Sequence, residues 1–325
     1  MTTPEPTTPE PPAPEPTAPD PTPAKPRRMH ADQAEIDAAL VRRLIDGRFP
    51  QWAGLPLAQV DSPGTVNALY RLGEDLVVRL PLRAGSDGEI EAEFTWLPKL
   101  AGRLPLPVPA PLAKGAPTEE YAFAWSVFRW LDGATPTAGA VTKPHELATD
   151  LATFITALRR VDTTGAPRGS RGIPLGPDRD AETREALGKL NGEIDTAAAA
   201  AVWRQALDAP RYEGPDRWMH GDLQPGNILL DGGRLAAVID FGLMGIGDPT
   251  VDLLTAWYVL PAEARPVFRA SVGADEASWV RGRGLALSIA LAELAYYRGT
   301  NPRMAGTARH VIGEILTEHR QATLR

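Results

Sequence analysis

The chain has 325 residues, of which 43% are hydrophobic, so it is long enough to bury the core of one large domain or of two lobes. Its formal net charge of −7 argues against a nucleic-acid or anionic-membrane partner, and the absence of cysteine excludes disulfides and thiolate metal sites. Because no apolar run reaches the roughly 18 residues of a membrane span, and the N-terminus lacks the apolar stretch of a signal peptide, we expect a soluble cytoplasmic protein.

Residues 1–28 form a tail rich in Pro, Thr and Glu, with almost no apolar side chain beyond alanine. Such a segment cannot bury enough surface to offset the entropy that is lost on ordering. We therefore predict a disordered tail that activity does not require, rather than a proline-rich ligand for a partner domain. Nothing in the sequence indicates an obligate protein partner.

Residues 29–131 predict a small lobe built on an antiparallel sheet. The lobe is expected to begin with an amphipathic helix, for which Asp32 and Glu35 resemble a capping box. Three further elements follow from the pattern of apolar residues and turn residues. They are a β-hairpin over 68–80, a helix over 87–100 and a buried strand over 121–131.

Residues 132–325 predict a larger, mainly helical lobe. Apolar residues recur at helical spacing over 144–162. Further helices are expected within 180–208, 276–297 and 302–322. A β-rich insert interrupts them at 227–239, where Asp231-Gly232-Gly233 is typical of a hairpin turn.

The segment 218–242, which reads WMHGDLQPGNILLDGGRLAAVIDFG, contains the residue types that phosphoryl transfer needs. That reaction requires a carboxylate that orients the acceptor hydroxyl, and Mg²⁺ that neutralises charge on the phosphate oxygens. Asp222 suits the first role. Asn227 and Asp240 suit the second, because Mg²⁺ prefers carboxylate and carbonyl oxygens and a hairpin can return Asp240 close to Asn227.

The order of these residues, with Asn five positions after the Asp and Asp-Phe-Gly after the hairpin, is that of protein kinases. Protein kinases, however, have Arg between the His and the Asp, where this chain has Gly221. The triplet His220-Gly221-Asp222 resembles the aminoglycoside phosphotransferase family instead. That family's Asp-Pro-x-x-Asp element follows here as Asp248-Pro249-Thr250-Val251-Asp252.

This resemblance implies a two-lobed, protein-kinase-like α+β fold, with a small antiparallel-sheet N-lobe and a mainly helical C-lobe. It implies Mg²⁺-dependent transfer of the γ-phosphoryl group of ATP or GTP to a hydroxyl of a small molecule. It also implies supporting roles for His220 and Asp252, which would hold the catalytic loop by hydrogen bonds and would not react. For Asp248 we favour a structural role as the cap of the helix that follows.

The nucleotide phosphates need backbone N–H groups and at least one cation. The loop 62–67 lies between two predicted strands, where kinase folds place the loop that covers the phosphates, although a plain hairpin turn is the alternative. The strand 126–131 is expected to pass the base, although an aromatic strand is as typical of a core. The candidate contacts are Gly64, Thr65 and Asn67 in the loop and Phe128 and Trp130 in the strand.

Arg79 stands where kinases have the lysine that binds the α- and β-phosphates. Arginine keeps the charge but offers a forked set of donors, so we expect Arg79 to bind phosphate, with an exposed position on the strand as the alternative. A glutamate on the next helix should pair with it. We choose Glu93 over Glu89 and Glu91 because of its distance from the Trp96-Leu97 pair.

The acceptor is less well determined than the reaction. Carboxylates in the C-terminal half would suit a cationic aminoglycoside, and aromatic residues there would suit a macrolide. In the sequence, however, acceptor contacts of these types cannot be distinguished from ordinary surface charges and core aromatics. The residues concerned are Glu263, Asp275, Glu276, Glu293, Trp257, Tyr258, Trp279, Tyr296 and Tyr297. The carboxylates fit exposed helix charges better than acceptor contacts. A sugar, amino alcohol or nucleoside is an alternative acceptor.

Two other functions were compared with a small-molecule kinase. Arg79 in the lysine position favours a nucleotide-binding pseudokinase, but the presence of Asp222, Asn227 and Asp240 argues against a chain without catalysis. The absence of an Ala-Pro-Glu motif after Asp-Phe-Gly argues against a protein kinase.

Overall fold

The computed structural model describes residues 32–62 and 64–323, so the predicted tail, residues 1–28, lies outside the described residues. The N-terminal part is built on a five-stranded antiparallel sheet in the order β1-β2-β3-β5-β4. Its elements are α1 (Ala38–Arg48), β1 (Leu57–Gln59), β2 (Asn67–Leu72), β3 (Leu76–Pro81), α2 (Asp87–Ala101), β4 (Pro111–Gly115) and β5 (Trp125–Arg129). The predicted hairpin, helix and buried strand are all present.

The start of the first helix differs from the prediction. Asp37, not Asp32, caps α1, and its Oδ1 accepts a hydrogen bond of 2.8 Å from the backbone N–H of Leu40. This bond needs a carboxylate three residues before the amide, which is where Asp37 lies. Asp32 instead forms an ion pair with Arg83 at 2.8 Å. The predicted capping box is therefore wrong, although the amphipathic helix is present.

The two faces of the sheet serve different purposes. Tyr70, Val78 and Val127 lie side by side on neighbouring strands and pack with α1 in a small hydrophobic cluster. The residues one position along the strands point to the opposite face, because side chains alternate along a strand. Arg79 and Phe128 lie on that second face, and Phe128 belongs to the larger cluster that fills the helical part. The second face therefore meets the C-terminal part, and we call the region where Arg79 meets Asp240 the cleft.

The C-terminal part is mainly helical. Its elements are α3 (Pro144–Arg159), α4 (Pro177–Lys189), α5 (Thr196–Asp208), β6 (Arg217–Met219), β7 (Ile228–Asp231), β8 (Arg234–Val238), β9 (Gly245–Gly247), α6 (Thr255–Tyr258), α7 (Arg265–Val272), α8 (Glu276–Tyr297) and α9 (Pro302–Thr323). Helix α8 runs through its centre and is buried along most of its length. No helix in the described ranges is long and apolar enough to cross a membrane.

The hairpin β7–β8 and the long helices agree with the predictions. The predicted helical region 180–208 is divided into α4 and α5, and the sequence patterns missed α7, β4 and the two-stranded ribbon β6–β9. The strands of that ribbon have only three residues each and pair across more than 20 residues of chain, so no local pattern reveals them. The boundary between lobes at 131/132 stays a prediction, because the larger cluster includes Leu97 and Phe128 from the N-terminal side.

Gly115 gives a test of the sheet's packing. It lies opposite Trp125 in the β4–β5 pair, and a Cβ at Gly115 would lie 1.8 Å from Cε2 of that indole. We expect Gly115→Ala to lower the free energy of unfolding by about 1–3 kcal/mol, because the buried indole has to move. Denaturant titration measures this. Gly88→Ala in α2, where a Cβ meets open space, is the control and should stabilise by about 0.5–1 kcal/mol; equal effects of the two substitutions would contradict the packing described.

Candidate active site

The loop between β6 and β7 carries the predicted His-Gly-Asp triplet. Gly221 has φ +84°, and a Cβ there would lie 2.9 Å from the backbone oxygen of Leu243. A side chain would therefore be strained and would clash with backbone that cannot easily move. This accounts for glycine at the position where protein kinases have arginine.

Asp252 holds this loop through its carboxylate. Its Oδ1 accepts the backbone N–H of Gly221 at 2.8 Å, and its Oδ2 accepts that of His220 at 3.1 Å. Burial raises the pKa of Asp252, while His220 and the two backbone hydrogen bonds oppose that rise. Asp252 lies in a 3-10 helix, Pro249–Leu254, which Asp248 caps by accepting the N–H of Thr250 at 2.9 Å. The structure thus shows the cap predicted for Asp248.

His220 links the loop to the end of β8. Its Nε2 lies 3.0 Å from the backbone oxygen of Ile239, and its Nδ1 lies 3.2 Å from the backbone nitrogen of Asp222. A carbonyl can only accept and an N–H can only donate, so the neutral tautomer with hydrogen on Nε2 satisfies both contacts. Both ring nitrogens are thus engaged with backbone, which leaves neither for proton transfer.

Asp222 is held on both carboxylate oxygens. Oδ1 forms an ion pair with Arg171 and accepts from Gln224 Nε2 at 3.1 Å. Oδ2 accepts from Asn227 Nδ2 at 3.0 Å. The side chain is nevertheless 23% exposed, so a ligand can reach it. These contacts fix the direction of the carboxylate towards the cleft.

Arg171 was not foreseen from the sequence, because it comes from the irregular segment between α3 and α4. That segment runs beside β9, where a Cβ at Gly245 or Gly247 would lie 2.3 Å or 2.4 Å from its backbone atoms. The two glycines of β9 therefore allow its backbone to approach the segment that carries Arg171, which places Arg171 beside Asp222. Burial opposes the charge of Arg171, but Asp222 and Glu293 outweigh it and raise its pKa. The only available signal in the sequence was the glycines at 169, 172, 245 and 247.

Glu293 extends the network below Asp222. Its Oε1 accepts from Gln224 Nε2 at 2.6 Å and its Oε2 accepts from the buried Tyr258 hydroxyl at 2.8 Å. Burial is the largest influence and raises the pKa of Glu293 to about 7, assisted by Asp222 and opposed by the bonds from Gln224 and Tyr258. The expectation that Glu293 is an exposed helix charge is therefore wrong, since it is bonded to residues on two other elements.

Arg79 and Glu93 form the predicted ion pair, at 2.7 Å. Glu93 is only 1% exposed, and the guanidinium lies over the Phe128 ring with Cζ 5.1 Å from the ring centroid. Its second nitrogen lies 3.3 Å from Oδ1 of Asp240. Burial opposes the charge of Arg79, but Glu93 and Asp240 outweigh it and raise its pKa. Arg79 is thus a cleft residue, not an exposed one.

The hairpin brings Asp240 to Asn227. The N–H of Ile239 donates to the backbone oxygen of Asn227 at 2.9 Å, and Asp240 follows directly. Asp240 has φ +61°, the only positive value outside glycine among the described residues, and its side chain is 43% exposed. Such backbone strain is typical of functional positions.

The other predicted nucleotide contacts lie in the loop 62–67 and at the end of β5. In the loop 62–67, the N–H of Gly64 donates to Ser62 Oγ at 3.0 Å, Thr65 shares a hydrogen bond with Tyr297, and Asn67 begins β2. Trp130 lies beneath the Arg71 guanidinium, with 4.5 Å from Cζ to the ring centroid. The role of these residues, and of Phe128, in binding a nucleotide stays a prediction.

The sequence of the chain matches a known enzyme family. The model of a phosphotransferase enzyme family, named APH, matches residues 58–286, more than half of the chain. The chain belongs to this family. The assignment made from the His-Gly-Asp and Asp-Pro-x-x-Asp motifs is confirmed, and the chain is a phosphotransferase that acts on a small molecule. No curated protein sequence matches it.

Solved structures of APH enzymes share its fold. The GDP complex of an aminoglycoside 2'-phosphotransferase-IIIa mutant is 19% identical, with 89% of this chain and 99% of that chain covered and a TM-score of 0.67. The gentamicin complex of APH(2")-IIa is 19% identical, with 87% and 97% covered and a TM-score of 0.57. Macrolide 2'-phosphotransferase MphH from Brachybacterium faecium is 21% identical, with 83% and 97% covered and a TM-score of 0.55. The predicted kinase-like α+β fold is confirmed.

The residues of this APH chain fit a magnesium ion, as its family implies. Nδ2 of Asn227 faces Asp222, so the amide oxygen points the other way. A Cβ at Gly242 would lie 3.4 Å from Oε2 of Glu89 and 3.6 Å from Oδ1 of Asp240, so this glycine leaves a space bordered by two carboxylates. Hard oxygen donors around an open space are what Mg²⁺ requires.

The network at Glu293 predicts a pH-dependent stability. Its raised pKa means that the folded chain holds this proton more tightly than the unfolded chain does. The resulting stabilisation is complete below the ordinary pKa of 4.5 and is lost as the pH rises through about 7. From about pH 5 to about pH 8, wild type should therefore lose about 1–3 kcal/mol of unfolding free energy relative to Glu293→Gln.

Denaturant titrations of both proteins across this pH range measure the difference. Glu263→Gln, at an exposed position, is the control and should differ from wild type by a constant amount. A constant difference for Glu293→Gln as well would show that the Glu293 carboxyl ionises as it does in water.

Proposed function

We propose that this APH enzyme transfers the γ-phosphoryl group of ATP or GTP to a hydroxyl of a small molecule, with Asp222 as the base. The observation that carries this proposal is the Asp222 carboxylate, which Arg171, Gln224 and Asn227 fix in place while it stays accessible from the cleft. In that position it can orient the acceptor hydroxyl and take its proton as the oxygen attacks phosphorus. The nucleoside diphosphate then leaves.

The opposite side of the cleft suits the phosphates of the nucleotide. Arg79 offers a permanent charge, and its pair with Glu93 holds the guanidinium in one direction. Asn227 and Asp240 would hold Mg²⁺, which neutralises charge on the phosphate oxygens. Arg79 also contacts Asp240 at 3.3 Å, so the cation and the proposed metal ligand lie beside each other where the phosphates would bind.

Aminoglycosides and macrolides are candidate acceptors, because structures of similar fold act on both. A sugar, an amino alcohol or a nucleoside is the alternative. The acceptor would lie near Glu293 and Tyr258, which flank Asp222 through Gln224. Localisation in the cytoplasm, where ATP and GTP are available, is part of the same proposal.

The first test measures nucleoside diphosphate release with Mg²⁺ and ATP or GTP across aminoglycosides, macrolides, sugars and amino alcohols. Asp222→Asn keeps the shape of the side chain but removes the base. We expect it to lower acceptor-dependent turnover by about two to four orders of magnitude and to leave nucleotide binding intact. Asp240→Ala should instead weaken the binding of magnesium nucleotide.

Asp231→Asn, in the exposed hairpin turn, is the control and should behave like wild type. Wild-type turnover in both Asp222→Asn and Asp240→Ala would refute the assignment of the site. Nucleotide binding without turnover on any acceptor would favour the pseudokinase, and phosphorylation of a generic protein would favour a protein kinase.

Arg171 has a role of its own in this proposal, as the residue that positions Asp222. Its ion pair with Oδ1 holds the carboxylate in one direction. We therefore expect Arg171→Gln to lower kcat by about 10²-fold while KM for the nucleotide stays unchanged, because only the reacting carboxylate is displaced. Arg171→Lys should restore part of kcat, because it keeps the charge but not the fork.

The control is Arg184→Gln, which removes an exposed arginine from its pair with Asp180. A rise in KM for the nucleotide together with the loss of kcat in Arg171→Gln would show that Arg171 only stabilises the loop.

A further inference from the structure

A second cavity lies in the helical part and shares no lining residue with the site around Asp222. Its volume is about 330 Å³, and it lies between the end of α3, the start of β6 and the turn from α7 to α8. Its lining includes three arginines, Arg159, Arg160 and Arg217, and hydroxyl groups from Thr156 and Ser278. The site is therefore rich in hydrogen-bond donors.

In the described part of the chain these arginines have no carboxylate in direct contact, although Asp252 and Asp248 act on Arg159 from a longer distance. None of the three makes an ion pair within the described residues, whereas Arg171 and Arg265, for example, each contact a carboxylate. This is unexpected in a chain with a net charge of −7. Three arginines that line one cavity without an ion pair favour an anionic ligand there.

Arg159 carries the most specific observation. Its terminal nitrogen donates to the backbone oxygen of Pro249 at 2.9 Å, but its Nε is buried without a hydrogen-bond partner in the described part of the chain. A buried donor without an acceptor is rare in proteins and costs about 1–3 kcal/mol. Asp248 does not accept this bond: its Oδ1 accepts from Thr250, and its Oδ2 lies 3.7 Å from Nε of Arg281.

Burial is the largest influence on the pKa of Arg159 and lowers it, while Asp252, Tyr212 and Asp248 oppose this. The guanidinium is therefore charged in a place where the protein does not compensate the charge fully. An anionic ligand would compensate it and would accept the unused hydrogen bond.

We propose that this cavity binds the phosphate group of a small molecule, at a site separate from the catalytic cleft. Phosphate matches the observations, because its tetrahedral oxygens accept from several forked guanidinium donors at once. A volume of about 330 Å³ exceeds the roughly 30 Å³ of a water molecule about tenfold, which leaves room for a small organic scaffold on the phosphate. Arg160 and Arg217, which are exposed, would close on the ligand from the rim.

The proposal is tested by calorimetric titration of the full chain with inorganic phosphate at low ionic strength, first for wild type and then for Arg160→Gln/Arg217→Gln. Both side chains are exposed, so the double variant should fold, and Arg159 is left to hold Pro249. We expect wild type to bind phosphate and the double variant to bind at least about tenfold more weakly, since two charge-assisted contacts are lost. Raised salt should weaken binding to wild type.

Arg204→Gln, which removes an exposed arginine from α5, controls for net charge and should bind like wild type. Equal affinity in wild type and the double variant would overturn the proposal, because phosphate would then be bound in the catalytic cleft or elsewhere. Absence of binding to wild type would overturn it as well. Parallel titrations with glucose 6-phosphate and glucose distinguish the source of the phosphate: tighter binding of the sugar phosphate than of inorganic phosphate identifies an organic phosphate site.

This test does not depend on the proposed catalytic function. Asp222→Asn abolishes the proposed base but leaves the three arginines in place, so it should bind phosphate as wild type does. A variant that loses turnover and a variant that loses phosphate therefore report on different sites.

Discussion

The rest of the site depends on the hydrogen bonds between the buried carboxylate of Asp252 and the backbone of the loop at His220 and Gly221. A charged group away from water is costly unless hydrogen bonds compensate it, and Asp252 receives two from the backbone of His220 and Gly221. These bonds hold Gly221 in the left-handed conformation that turns the chain towards Asp222. Asp252 lies in the buried 3-10 helix that Asp248 caps. The position of the loop is therefore set by the helical core.

Two arginines form ion pairs with different carboxylates of the site. Arg79 comes from the sheet and lies against Glu93 and Asp240, and Arg171 comes from an irregular segment and lies against Asp222. Asp240 and Asp222 therefore each have a cation in contact with them. A pre-organised arrangement of this kind needs little rearrangement during reaction, which is how electrostatic stabilisation becomes effective in a partly buried site.

The sheet and the helical core are joined by the same residues that face the cleft. Phe128 packs into the larger cluster and also supports the Arg79 guanidinium. The opposite face of the sheet is covered by α1, which gives the N-terminal part a small core of its own. Tyr297 and Arg303, near the junction of α8 and α9, contact Thr65 and Asp61 across the cleft. The loop 62–67 and its flanking residue Asp61 are thus tied to the helical part as well.

The sequence by itself determined the elements that local patterns encode and the residues that lie close together in the chain. Asn227 and Asp240 flank one hairpin and Asp222 lies five residues before Asn227, so spacing predicted that they would meet, whereas the pair of Arg79 and Glu93 was predicted from the resemblance to kinases. The family followed from the same short motifs. What only the tertiary structure decided are contacts between distant segments: Arg171 reaches Asp222 because glycines let two backbones approach, and Glu293 joins the site because α8 passes beneath the catalytic loop. The arginines around the second cavity likewise come from two distant elements, the end of α3 and the start of β6. The burial of these residues and the charges around them depend on the whole fold, so the periodicity of the sequence does not predict them.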